Sequence, residues 1–138
     1  MKRPDPMAQR LEKKFGREFM DRLGKMGCSP SRYVYALKLT KLGLDKLVDA
    51  QYEDALFLFK KAYGIVKSPN LLFYKGMTLK GMGRPLKSRE EFLRFLYYYP
   101  RWQLTKVIPG RIERAKKEIA WLESQLATLR VTTVDKGD

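Results

Sequence analysis

Leu42-Gly43-Leu44-Asp45-Lys46-Leu47-Val48-Asp49-Ala50-Gln51-Tyr52-Glu53-Asp54-Ala55-Leu56-Phe57-Leu58-Phe59-Lys60-Lys61-Ala62 is the stretch on which the fold turns. It reads as a helix, a short turn near Ala50 and a second helix. Small residues stand at Gly43, Ala55 and Ala62, with an aromatic ring at Phe59. The pattern returns 33 residues later, where Gly76, Ser88 and Phe92 answer Gly43, Ala55 and Phe59, and Gly83 answers Ala50 at the turn. Self-similarity at a period of about 34, written helix–turn–helix, is the signature of a helical repeat.

Working outward, Met7, Leu11, Phe15, Phe19, Leu23 and Met26 recur at spacings of four and three. That spacing predicts one N-terminal helix over 7–26, within an N-terminal element of 7–30. Gly27-Cys28-Ser29-Pro30-Ser31 ends it and supplies a serine cap for the next helix. Further helices are expected over 32–48, 51–66, 70–82 and, opened by Pro85, up to Tyr98. Pro100 and Pro109-Gly110 mark turns before a last helix over 109–130, where Ile112, Ala115, Ile119, Leu122, Leu126 and Leu129 form a heptad seam. Residues 1–6 read as a disordered arm. Residues 131–138 read as a tail that begins with the strand-like Val131-Thr132-Thr133-Val134. The fold class is all-α.

The segment 36–102, within paired helices spanning 31–102, resembles the tetratricopeptide-repeat (TPR) family. Leu42-Gly43, Gln51-Tyr52-Glu53-Asp54-Ala55-Leu56, Phe59 and Ala62 carry the likeness in the first unit, and Gly76, Gly83, Phe92 and Pro100 in the second. Ser88 and Phe95 stand where that family usually has alanine. The resemblance implies stacked helical hairpins in which glycine and alanine allow close helix approach and phenylalanine fills the space between pairs. No pair buries its apolar face alone, so neighbours must stack. Two units need caps, and the N-terminal helix and the heptad helix are placed to provide them.

Composition limits the chemistry. The 138 residues carry 29 Lys+Arg against 15 Asp+Glu, a net charge of +14, with no histidine and one cysteine. The commonest general base and zinc ligand is absent, and Cys28 has no partner for an internal disulfide. No catalytic, metal-binding or cofactor residue is therefore assigned. Gly81-Met82-Gly83-Arg84 lacks both the preceding strand and the Lys-Ser/Thr ending of a phosphate-binding loop. Glu90-Glu91 and the Asp49, Glu53, Asp54 group read as helix-start charges. No apolar run has the length of a secretion signal or a membrane span, which makes the cytoplasm the expected location.

The resemblance also implies a groove lined by the first helix of each pair. Its residues here are Thr40, Leu44 and Leu47 from the first unit and Asn70, Phe73, Met77 and Lys80 from the second. This mostly apolar trough suits an extended segment or an amphipathic helix. It lacks the asparagine and basic residues with which some relatives grip a peptide's terminal carboxylate. The opposing reading has the helix over 7–26 fold back and fill the trough as core.

Positive charge concentrates in residues 70–108, which hold eight basic and two acidic side chains. The basic patch comprises Lys75, Arg84, Lys87, Arg89, Arg94, Arg101 and Lys106, besides Lys80, with Tyr97, Tyr98, Tyr99 and Trp102 interleaved. Such a surface can hold phosphates and stack bases, dock an acidic protein or an anionic membrane, or simply keep the chain soluble. The heptad seam either caps the stack or forms a homodimer through 112–129. The sequence thus points to a small basic adaptor or scaffold that binds an acidic or amphipathic protein segment. The alternatives are a nucleic-acid-binding protein using the 75–106 face and a secretion- or envelope-associated chaperone. The latter draws on a likeness to stretches of larger bacterial TPR proteins.

Overall fold

A computed structural model describes residues 5–137, with side chains as far as Thr128. Seven α-helices and one 3-10 turn make up the described residues, and there is no strand among them. Of the arm expected over 1–6, residues 1–4 lie outside the described residues, as do the Leu129 side chain of the seam and Asp138, whereas Asp5 and Pro6 form the cap and first turn of a helix, which corrects the arm there.

Asp5 accepts the Met7 N–H at 3.0 Å, and Pro6 occupies the first helical turn of α1, Pro6–Phe15. A proline there loses no hydrogen bond, because the first N–H groups of a helix have no internal partner. The single helix expected over 7–26 is instead two. Gly16 takes φ 94°, a conformation open to glycine, and α2 starts afresh at Arg17–Lys25. The apolar spacing survives the elbow, because Phe15, Phe19 and Leu23 still meet one neighbour, Tyr33 and its surroundings on α3.

Helix α3, Pro30–Val48, opens on Ser29, whose Oγ accepts the Arg32 N–H at 3.2 Å. It forms a hairpin with α4, Tyr52–Ile65, and the second hairpin pairs α5, Pro69–Gly81, with α6, Pro85–Tyr98. The two turns are built alike. Ala50 N–H donates to Leu47 O and Gln51 N–H to Lys46 O. Gly83 N–H to Lys80 O and Arg84 N–H to Leu79 O repeat those bonds 33 residues on. Ala50 and Gly83 share a positive φ, 58° and 73°. A Cβ on Gly43 would lie 2.6 Å from the Phe59 ring and one on Gly76 2.9 Å from Phe92, so each glycine is where its helix touches its partner. The architecture is thus all-α, with neighbouring helices stacked as successive hairpins.

Ser88 and Phe95 fit this packing. Ser88 Oγ donates to Gly76 O at 2.7 Å inside the hairpin, and the Phe95 ring is fully buried against Phe73. Helix α5 lies between α4 and α6 and is buried on nearly every side.

The last helix, α7, runs Arg111–Gly137. The backbone stays helical through Val131-Thr132-Thr133-Val134, which corrects the expected strand-like tail. The β-branched preference against helix is only a few tenths of a kcal/mol per residue, and a helix already formed propagates readily. Ala115, Ile119 and Leu122 are buried in one core with Phe92 and Phe95, so this part of the seam packs on the second hairpin of the same chain. The opposite face of α7 carries exposed Glu113, Lys116, Lys117, Glu123 and Gln125, the polar outer surface a terminal cap requires.

Candidate functional site

Between α6 and α7 the chain passes through the 3-10 turn Tyr99–Arg101 and a strap over 102–110. The strap reaches back to α2, where Arg22 Nη1 donates to Gln103 O at 2.6 Å, and Leu104 is buried with Phe19, Leu23 and Val66. Trp102 is fixed by its Nε1–H, which donates to Thr105 Oγ1 at 3.0 Å. The strap and the α1–α2 elbow therefore cover one end of α3 and α5.

What remains there is a cavity of about 250 Å³ lined by both hairpins' first helices. Tyr33, Leu37 and Thr40 come from α3, Asn70 and Tyr74 from α5, and Phe15 and Trp102 close it from the elbow and the strap. Its walls are largely apolar, and among the polar side chains lining it, Asn70 has a buried Oδ1 with no hydrogen-bond partner. Tyr74 is shared with a second feature. The Arg111 guanidinium stacks 4.5 Å over the Tyr74 ring and 4.6 Å over Phe73, and its Nη1 is likewise buried without a partner. Arg111 does not line the cavity itself, and it lies against Tyr74 and Phe73 as a neighbouring feature. Leaving buried polar atoms such as these two unpaired costs about 1–3 kcal/mol each.

The groove residues expected from sequence divide between this cavity and the helix surfaces beyond it. Thr40 and Asn70 line the cavity, and Thr40 Oγ1 donates to Ala36 O at 2.8 Å. Leu44, Leu47 and Met77 are half-buried beside the main core. Phe73 is only 7% exposed, held edge-on to Phe92 and Phe95 and covered by Arg111, so the ring expected as an open anchor is a core residue. Lys80 is engaged with α7: its Nζ lies 2.6 Å from Glu118 Oε2 and 4.5 Å over the Trp121 ring. Glu118 also accepts from Arg114 Nε at 2.8 Å. Burial pushes the Glu118 carboxyl up, but Lys80 and Arg114 outweigh it and hold the group below its ordinary value.

The basic patch does not form one face. Lys75 is a correction: it is buried at 7% exposure, 3.4 Å from Glu91, with its ammonium over the Tyr63 ring. Desolvation lowers its pKa, opposed by the Glu91 charge. Arg94 shares Glu91 and donates to Tyr63 Oη, while Arg89 pairs with Glu123 on α7. Arg84 and Lys87 stand beside Leu86 and Leu126 at the far end of α6. Arg101 and Lys106 lie on the strap side, where they meet Arg22 and Lys25.

Sequence reasoning missed Arg111, Tyr33 and Arg22, and it placed Trp102 on the basic patch without its role at the cavity. Trp102 sits in the connection after Pro100 and Arg111 opens the helix that follows, and the path of that connection depends on a contact with a helix 81 positions away. Tyr33 follows the Ser-Pro-Ser cap, and its place near one face of α3 was the available signal. Among the described residues no group of His, Cys, Asp or Glu is arranged to hold a metal, and no helix is long and apolar enough to cross a membrane. No protein-family model, curated protein or solved structure matches the chain.

Proposed function

We propose that this chain is a small TPR-like adaptor that takes an acidic, amphipathic segment of another protein into the opening between α3 and α5. The single observation carrying this reading is the aromatic-walled cavity between α3 and α5, whose lining includes Asn70 with its buried, unpartnered Oδ1. An apolar side chain of the guest fills the space beside Leu37 and Tyr74. An N–H or O–H donor of the guest satisfies Asn70 Oδ1. Charge complementarity with a +14 chain steers the encounter, while the buried contacts set the residence time. Leu44, Leu47 and Met77 extend the apolar track beyond the cavity.

The test is selection of acidic amphipathic peptides from a display library, followed by binding kinetics on variants. Leu37 is exposed at 41% and tolerates change without loss of core. Leu37→Glu should raise the dissociation rate of the best peptide at least tenfold, and Asn70→Leu should remove the preference for a hydrogen-bond donor at the buried position. Peptides that bind both variants as they bind the parent would overturn the reading.

A further inference from the structure

A second surface lies on the other side of Trp102, in a cleft lined by Arg22 and Lys25 of α2, by Met26 just after it, and by Arg101, Trp102, Gln103 and Leu104 of the strap side. Lys106 lines the adjoining clefts, which share Arg22. Four cations from segments some 80 positions apart in sequence thus converge, and the one carboxylate among these cleft linings is Glu18, which pairs with Arg22 at 2.7 Å. Among the described residues Lys25, Arg101 and Lys106 have no ion pair.

The cleft continues onto an aromatic platform. The Arg101 guanidinium lies 4.0 Å over the Tyr97 ring and donates to Tyr97 O, so its charge is held flat against the ring. Tyr97 meets Tyr98 edge-on at 4.9 Å between centroids, and the two rings are 56% and 42% exposed. Exposed rings beside fixed cations match the repeating chemistry of a single strand: phosphates at short, regular intervals and flat bases between them. An acidic peptide would use the cations but leave the rings idle.

We infer that the α2–strap cleft, with the Tyr97–Tyr98 platform, is a binding surface for single-stranded nucleic acid. It is a separate cleft from the α3–α5 opening, which it borders at Trp102 and, through the adjoining clefts, at Phe15 and Thr105. Arg22, Lys25, Arg101 and Lys106 hold phosphates, and Tyr97 and Tyr98 take bases. Since no base-edge reader accompanies them, binding is tolerant of sequence.

Fluorescence anisotropy with labelled 20-nucleotide poly-U and poly-dT, at several salt concentrations, tests this. The parent should bind with an affinity that falls steeply with salt. Lys25→Gln with Lys106→Gln changes two exposed, unpaired side chains and leaves the fold's contacts in place. It should flatten the log–log salt slope by about 1.4, at about 0.7 per lost phosphate contact. Tyr97→Ala should weaken binding about fivefold or more without comparable flattening. Arg84→Gln with Lys87→Gln, at the far end of α6, should change the slope far less. Circular dichroism and urea midpoints confirm that each variant is folded. The inference fails if the far pair flattens the slope equally, since the charge would then act only as a general field. It fails equally if Tyr97→Ala leaves affinity unchanged, or if poly-glutamate binds as tightly as poly-U. Either result would make the cleft a surface for acidic protein.

Discussion

Substituting Gly43 by alanine adds one methyl group where the structure has no room for it. The new Cβ would stand 2.6 Å from Phe59 Cε1 and 2.8 Å from Cδ1, closer than carbon atoms approach, and Phe59 is fully buried. The ring has to turn or the α3–α4 pair has to separate, and overpacking of this kind costs about 1–3 kcal/mol. Against that, alanine gains about 1 kcal/mol of intrinsic helix propensity over glycine. The steric term wins, leaving a net loss of about 1 kcal/mol. Gly64 supplies the opposite case: it lies in α4, its added Cβ meets nothing within 4 Å, and the same substitution should stabilise by about 0.5 kcal/mol. The two variants should therefore sit on opposite sides of the parent in urea denaturation followed at 222 nm, separated by about 1.5 kcal/mol with unchanged m-values. In melting temperature that is about 6 °C for a chain of this size. Gly76→Ala should behave like Gly43→Ala, because Phe92 presents the same obstacle at 2.9 Å. If Gly43→Ala is as stabilising as Gly64→Ala, the close helix approach on which the stacked arrangement depends is wrong.

Two further expectations concern the turns and the cap. Ala50 holds φ 58°, where Gly83 stands in the second hairpin, so Ala50→Gly should stabilise by about 0.5–1 kcal/mol and Gly83→Ala should destabilise by about 1 kcal/mol. Thermal melts of both variants check this, and a destabilising Ala50→Gly would contradict the shared turn geometry. Because Glu118 is held below its ordinary value of 4.5, its contribution is present at neutral pH and is lost as pH falls from about 4.5 through the lowered value. The stability difference between the parent and Glu118→Gln should accordingly shrink between pH 5.5 and pH 3, measured by urea midpoints. A difference that stays constant would remove Lys80 and Arg114 as its cause.

Helix ends and hairpin register were legible in the sequence because local chemistry sets them. Pro30, Pro69 and Pro85 each open a helix, and the glycine–phenylalanine pairs sit one repeat apart. The Gly16 elbow was not legible, since a bend that keeps its apolar residues on one neighbour leaves their spacing intact. Lys75 and Phe73 were misplaced for another reason: α5 is enclosed on nearly all sides, so its sequence has no polar face to reveal which side chains point inward. The cavity was half legible, through Thr40 and Asn70. Its other half comes from Phe15 and Trp102, which reach it only once distant segments have met.

The bond from Arg22 to Gln103 bears on how the chain acquires its shape. A row of hairpins touches only nearest neighbours, so it can form and fray piecemeal from either end. A tie across 81 positions joins the first helices to the connection before the last one. It makes the ends depend on each other: loosening α2 withdraws support from the strap, and releasing the strap uncovers α2. Closing that circuit raises the average sequence distance between touching residues, which slows folding. In return, partial opening of either terminus becomes rarer, and amide exchange should report one shared opening event for α2 and the strap.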